Sequence, residues 1–422
     1  MTALPQSARG RILAWCLFDF ANSPYTTLVV TFVYSTYFIK TFAPDPVLGT
    51  VWWSRAVALA ALVVALASPL LGAAADRGGL RVRFLGVTTV VCVTATALLT
   101  FVRPDTPNAA LLALALVVLA DIGFELGMVF YNALLPGLAP PERIGRVSGN
   151  GWALGYLGGL LGLVIALVVF VRPGVTHVGD FHVRATNLLV AGWLAVFALP
   201  LFAWVRDAAP TVQAAAPNPF AEVWRTFREV RRYRDAALFL LARLLFNDGL
   251  ITIFAFGGIY AAGTFGMSLG QILVFGIVLN VAAGAGAFLG GYVDDRIGGK
   301  RTLIVSCVAL ALATAVAVWA PTRTWLWVAG IFVGLFAGPN QAASRSLLAR
   351  FAPQGRQTEF FGFFAFSGKF TAFLGPAVLG IATQAAGSQR AGVATVLLFF
   401  LVGGGLLLAV DEKRGIATAV QR

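Results

Sequence analysis

Apolar runs long enough to cross a bilayer recur twelve times along the chain, near 12–41, 51–75, 83–102, 109–138, 148–171, 186–205, 236–263, 268–293, 301–320, 324–348, 360–385 and 391–410. About 20 apolar residues wound as a helix span the ~30 Å hydrocarbon core. Inside that core only helices or closed barrels satisfy their own backbone. The runs lack period-two alternation, so a barrel is excluded. Hydrophobic residues make up 59% of the 422 and charged ones 12%, which is too little polar surface for a soluble protein. The expected fold is an all-α polytopic membrane protein.

The formal charge of +13 would suit nucleic acid in a soluble protein, but its distribution reports topology instead. With the N-terminus inside, 21 of the 31 Lys and Arg fall in or at the edge of cytoplasmic segments, 7 in or at the edge of external ones, and 3, Arg243, Arg345 and Lys369, lie deep within spans. That asymmetry orients helices, so both termini are expected in the cytoplasm of a bacterial inner membrane. No nucleic-acid partner is expected; anionic lipid is. Cys16, Cys92 and Cys307 lie singly in or beside apolar runs, as small core residues do.

The long polar interval, about 206–235, divides the chain into an N-terminal six-helix bundle (1–205) and a C-terminal bundle with a short tail (236–422). Its first part is rich in Ala and Pro. Its second reads as a basic amphipathic helix: Asn218 caps, Pro219 opens, and Phe220, Val223, Trp224, Phe227 and Val230 recur at helical spacing among Arg225, Arg228, Arg231, Arg232 and Arg234. Such a helix belongs on the cytoplasmic leaflet.

Two loops carry nearly one signature, Gly72, Asp76, Arg77, Gly79 and Arg81, then Gly291, Asp295, Arg296, Gly298 and Lys300, offset by 219 positions. A second echo relates Ala139, Pro140, Gly149 and Gly155 to Ala352, Pro353, Gly362 and Gly368 at an offset of 213. Internal symmetry of this kind marks transporters built from repeated halves. The first loop resembles the helix 2–3 loop of the major facilitator superfamily, and the second resembles its weaker echo between helices 8 and 9. The resemblance implies the major facilitator fold, two six-helix bundles around a central cavity lined mainly by spans one, four, seven and ten. It also implies a switch loop, with Asp76 and Arg77 as its central charges. On this reading the second copy chiefly marks symmetry.

Charges inside spans cost roughly 2.5–3.5 kcal/mol each on insertion scales, so each needs a partner, water or a function. Seven stand out: Asp19, Asp121, Glu125, Arg243, Asp248, Arg345 and Lys369. Asp121 and Glu125, four apart, share a helix face. Both cannot ionise cheaply in low dielectric, so the pair is the expected proton carrier. Asn247 and Asp248 lie mid-way along span seven. Lys369, mid-way along span eleven, either holds an anionic substrate group or neutralises Asp248 or another acid. Arg345, with Asn340 and Gln341 nearby, sits at a depth similar to Asp19, so an ion pair closing the inner mouth is geometrically open to them.

The first-span segment with Trp15, Phe18, Asp19, Asn22, Ser23, Pro24 and Tyr25 resembles the first-helix signature of the vacuole-effluxer-like branch of the superfamily. Gly151, Trp152, Gly155, Tyr156, Gly158 and Gly159 resemble its fifth helix. Gly338 through Ser346 resemble its tenth, and Phe360 through Phe370 its eleventh. Pro24 stands where a small residue is more usual. The resemblance implies an alternating-access solute transporter, with fungal relatives linked to amino-acid efflux from the vacuole.

The function expected is therefore secondary active transport of a small solute, an amino acid or related metabolite, coupled to protons, by a monomer without metal or cofactor. Asp121 or Glu125 would carry the proton and Lys369 or Arg345 hold an anionic group, with Tyr25, Asn22, Trp152 and Tyr156 as contacts. A lipid flippase on the same scaffold, or a non-transporting receptor or scaffold, stands as the alternative. Enzyme motifs fail. Gly266 to Gly270 matches a nucleophile elbow but lies between two spans with no strand-to-helix context. Gly299 and Lys300 lack the earlier glycine of a phosphate loop. His177, Asp180 and His182 read as an external loop.

Overall fold

A computed structural model describes residues 6–171, 180–207, 219–229 and 231–420. Its regular structure among those residues is entirely helical. In chain order the α-helices are α1 Gln6–Pro24, α2 Tyr34–Thr41, α3 Pro46–Gly78, α4 Arg81–Leu99, α5 Ala109–Leu138, α6 Ile144–Ile165, α7 Phe181–Trp204 and α8 Pro219–Arg228. There follow α9 Arg234–Phe265, α10 Leu269–Ile297, α11 Gly299–Trp319, α12 Arg323–Phe351, α13 Gln357–Lys369, α14 Leu374–Ala386, α15 Gln389–Leu408 and α16 Glu412–Val420. Among the described residues, eleven uninterrupted or nearly uninterrupted segments are long and apolar enough to span. The twelfth span is the first, α1 continued through a π-helical stretch, Tyr25–Phe32, into α2.

Pro24 causes that interruption. It lacks the N–H that would bond to the Phe20 carbonyl, and its ring crowds that turn. The Trp193 indole supplies the missing donor, reaching the Phe20 carbonyl at 3.1 Å. The eleventh span is also broken. Between α13 and α14 the ladder shifts to i+3 bonds, Ala372 N–H to the Lys369 carbonyl at 3.3 Å and Leu374 N–H to the Thr371 carbonyl at 2.7 Å.

Large apolar side chains face outward at helical spacing, as Leu59, Leu62 and Leu66 do on α3, the inverse of a soluble helix and the surface lipid requires. The twelve spans form two sets of six. They meet through α3 with α13, α6 with α10 and α12, and α5 with α12 and α13. Among these contacts are the close approaches of Gly72 to Thr358 and of Gly291 to Gly145 at the end bearing the two charged loops and α16, here termed the base. At the opposite end, the mouth, the π-helical stretch and α14 make their main contacts within their own six.

Candidate functional site

The base is closed by a two-fold-related pair of contacts that the loop echo foreshadowed. Asp76, at the end of α3, accepts from the Thr358 hydroxyl at 2.6 Å and the Glu359 amide at 2.9 Å. Asp295, at the end of α10, accepts from the Gly145 amide at 2.8 Å and the Arg146 amide at 3.3 Å, with the Arg146 guanidinium at 2.5 Å. Thr358 and Glu359 follow Gly145 and Arg146 at the same 213 offset that relates Gly362 to Gly149. Each loop carboxylate thus caps the N-terminus of a helix in the other set of six, where unbonded amides and the helix dipole favour a negative charge. Glycine permits the crossings: a side chain at Gly72 would strike the Thr358 carbonyl, and one at Gly291 the Gly145 carbonyl.

The second loop therefore does more than mark symmetry. Asp295 also lies 3.6 Å from Arg350. Asp294 beside it accepts from Arg350 at 2.7 Å and from the Ser346 hydroxyl. Lys300 and Gly299 donate their amides to Glu412 on α16. At the first loop Arg81 holds Asp76 at 2.7 Å and reaches Gln357 at 2.5 Å. Gly79 takes the left-handed conformation that ends α3, with φ 60°. Arg77 and Arg296 occupy the last turns of their helices.

Deeper in, Asp19 and Arg345 form the expected pair, Oδ2 to NH1 at 2.8 Å, with side chains 7% and 2% exposed. Arg345 also donates to the Ser148 hydroxyl at 2.9 Å and the Ser148 carbonyl at 2.6 Å. Its guanidinium lies 4.6 Å from the centre of the Trp15 ring, within cation–π range. Trp15 is itself fixed by exchange with Tyr131, its indole N–H to the Tyr131 carbonyl at 3.0 Å and the Tyr131 hydroxyl to the Trp15 carbonyl at 2.9 Å. A side chain at Gly151 would strike both charges. A fully enclosed pair of this kind leaves Arg345 closed to substrate in this state.

Mid-span the sets are bridged again. Lys369 at the end of α13 reaches Glu125 of α5, Nζ to Oε1 at 2.6 Å, with side chains 29% and 19% exposed. Lys369 thus neutralises Glu125 and not Asp248. Asp121, one turn from Glu125, is buried. Arg243 of α9 lies beside this group, donating to the Phe364 carbonyl at 2.9 Å and the Ser367 hydroxyl at 3.0 Å. Tyr156 donates to Gln341 across the sets at 2.6 Å, and Trp152 packs 6.0 Å from Tyr156.

Other expected contacts turn away from the junction. Asn340 donates to the Ser306 hydroxyl at 3.0 Å, between α11 and α12. Asn22 meets the Met128 sulfur at 3.4 Å within the first six spans. Tyr25 is fully buried and stacks on Phe124. Asn247 is half-buried, while Asp248 is buried and, among the described residues, forms no ion pair.

The geometry is that of twelve spans in two sets of six, and comparison with known proteins decides its kind. A profile of the "Vacuole effluxer Atg22 like" family matches residues 55–420. The chain belongs to that family. It is 28% identical over 417 residues to an uncharacterized MFS-type transporter, YxiO, of Bacillus subtilis, covering 97% of this chain and 96% of that one. It is 26% identical over 306 residues to autophagy-related protein 22 of Yarrowia lipolytica, covering 64% of this chain and 51% of that protein. The match therefore spans about half the fungal relative's own length. Among solved structures, the proton:xylose symporter XylE superposes with a TM-score of 0.74 at 14% identity, covering 97% of both chains. FucP in its outward conformation superposes at 0.73 and 14% identity, covering 96% of this chain and 100% of that one. These likenesses fix the major facilitator fold. Family membership makes the chain a multi-pass membrane transporter.

Ser148, Thr358 and Tyr131, and Asn132, whose side-chain oxygen accepts from Arg345 at 3.4 Å, are site residues that the sequence does not mark. Each is an ordinary polar or aromatic residue whose partner lies on a distant helix, so no local pattern flags it. Arg243 was flagged by its charge alone. Ser268, the would-be nucleophile, caps α10 in a reciprocal exchange with Gln271. His177 lies outside the described residues, and no cluster of metal-ligating side chains occurs among those described.

Proposed function

We propose that this chain carries a small solute bearing a carboxylate, such as an amino acid or related metabolite, by alternating access coupled to protons. The base faces the cytoplasm, as its excess of Arg and Lys implies. The closed base and the separately packed mouth elements support an outward-open resting state. The observation that carries the reading is the Glu125–Lys369 pair, which joins the two sets mid-span and is partly exposed.

In this scheme the substrate carboxylate competes with Glu125 for Lys369. A proton taken by Glu125, directly or by way of Asp121 one turn away, releases the lysine to the substrate and removes a negative charge from low dielectric, lowering the cost of closing the mouth. Return of the proton to the other side re-forms the pair. One charge moved through 100 mV contributes about 2.3 kcal/mol, enough for accumulation of roughly fiftyfold. Only substrate affinity that differs between the two states can drive the switch, and the competing pair provides that difference.

The test is uptake of labelled amino acids into proteoliposomes, with and without an imposed pH gradient. Native protein should respond to the gradient. Glu125→Gln should lose the response while keeping exchange at equal pH. Uptake indifferent both to the gradient and to Glu125→Gln would overturn the coupling.

A further inference from the structure

Asp248 is the fifteenth residue of α9, which runs Arg234–Phe265, and Thr371 is the fifteenth of the span Gln357–Ala386. At about 1.5 Å per residue both lie some 21 Å from the base end, close to mid-membrane. Asp248 is 1% exposed, and neither carboxylate oxygen has a hydrogen-bond partner among the described residues. The groups facing it are the buried Thr371 hydroxyl and the Gly375 amide, which point their dipoles at the carboxylate without reaching full hydrogen-bond geometry.

No base neutralises it. Lys369, two residues before Thr371, is committed to Glu125. Arg243, five residues before Asp248, is committed to Phe364 and Ser367. Helix α14 carries no ionisable side chain, and the nearest charge on α15 is Arg390 at its mouth end, bonded to the Val318 and Ala320 carbonyls. Of the charges on α10 and α12, Asp294, Asp295 and Arg350 bond to one another and to α6 and α16, Arg296 lies in the last turn of α10 at the base, Arg345 bonds to Asp19, and Arg323 at the mouth end bonds to the Phe265 and Gly266 carbonyls.

A carboxylate buried with two loose neutral donors and no counter-charge is expensive. Here it faces a break in a spanning helix, with the i+3 turns of residues 370–373 and the negative end of the α13 dipole close by. Such breaks, with freed carbonyls and a helix C-terminus, hold coupling cations at the midplane of carriers. We infer that Asp248, Thr371 and the α13–α14 break form a second coupling site that takes one monovalent cation, a sodium ion or a proton. Hard oxygen donors and a single negative charge suit either. The site stands independently of the Glu125 reading, since it lies within the last six spans.

Thermal unfolding of the purified full-length protein tests it. Sodium chloride is varied over a roughly hundredfold range against choline chloride at fixed ionic strength, and pH is then varied without sodium. A sodium occupant raises the melting temperature by roughly 2 °C per tenfold increase above its Kd. That rise disappears in Asp248→Asn and is weakened in Thr371→Ala. A proton occupant gives no sodium response, but melting rises as pH falls, and Asp248→Asn reduces that pH response to the part carried by the Glu125–Asp121 pair. Glu125→Gln should retain the sodium response, or the part of the pH response that Asp248 carries, which separates this site from the proposed proton carrier. Should Asp248→Asn fail to fold, Thr371→Ala reads the sodium arm, and Asp248→Glu, which keeps the charge but lengthens the reach, reads both through a shifted midpoint. A native protein indifferent to both cations, or a response unchanged in these Asp248 and Thr371 variants, would overturn the inference.

Discussion

Replacing Asp76 or Asp295 by Asn removes a charge without changing side-chain size, and the structure separates the bonds that matter to switching from those that do not. Bonds within one set of six survive the switch and cancel. The bonds crossing between sets exist only while the base is closed: Thr358 and Glu359 onto Asp76, and Gly145 and Arg146 onto Asp295. Asn keeps one acceptor oxygen, so each variant weakens a charge-assisted helix cap without deleting it. A cost of about 1.5 kcal/mol per loop follows from the range for caps and charged hydrogen bonds, or roughly tenfold in the ratio of closed to open base. The loops act on separate helices, so the double variant should shift that ratio roughly a hundredfold.

Spin labels at Arg83 and Gln354, both exposed at the base on opposite sets, report that ratio as short and long separations. Glu412→Gln is the control, because its bonds to Gly299 and Lys300 stay within the last six spans. The reasoning fails if Asp295→Asn leaves the distribution unchanged while Asp76→Asn alters it, for the two-fold relation makes them equivalent. It fails equally if Glu412→Gln opens the base as far as either loop variant.

Three further outcomes follow. Asp19→Asn should strand the Arg345 guanidinium in a buried site and cost about 3–5 kcal/mol of base-closed stability; Arg345→Lys should not restore transport, because an ammonium cannot serve Asp19 and Ser148 with a planar fork, and normal uptake by that variant would refute the geometry. Gly72→Ala and Gly291→Ala should each open the base through collision with a facing carbonyl, visible as a longer Arg83–Gln354 separation. Arg225→Ser with Arg228→Ser should weaken binding to vesicles rich in anionic lipid while leaving zwitterionic vesicles unaffected, since α8 exposes Phe220 and Trp224 beside these arginines; an equal loss on both lipids would argue against leaflet contact.

What the sequence disclosed follows from the range of each physical signal. Span positions were legible because membrane insertion is decided within each run of about 20 residues: the run read at 109–138 is α5 to the residue. The buried charges were legible for the same reason, since a lone Asp or Lys in hydrocarbon is conspicuous whatever it touches. Their partners were not. Lys369 finds Glu125 across 244 positions, and nothing near either residue distinguishes that match from one with Asp248. The breaks differed in the same way. Pro24 announced the first through its missing N–H, whereas the eleventh span breaks after Lys369 in a stretch without proline until Pro376.

The two readings of the buried acids share one requirement. Of seven charges within spans, Asp19 with Arg345 and Glu125 with Lys369 cancel across the junction, and Arg243 is held by neutral acceptors. Both ion pairs cross between the sets, so opening the base separates Asp19 from Arg345, and closing the mouth around substrate perturbs Glu125 and Lys369. Asp248 differs because its surroundings belong to the last six spans alone, so a cation there acts by straightening or bending the α13–α14 break. That break lies two residues from Lys369. A cation at Asp248 that sets the geometry of residues 370–373 therefore sets the reach of the lysine toward Glu125, and the ion and the substrate group become coupled through a single turn of chain without touching.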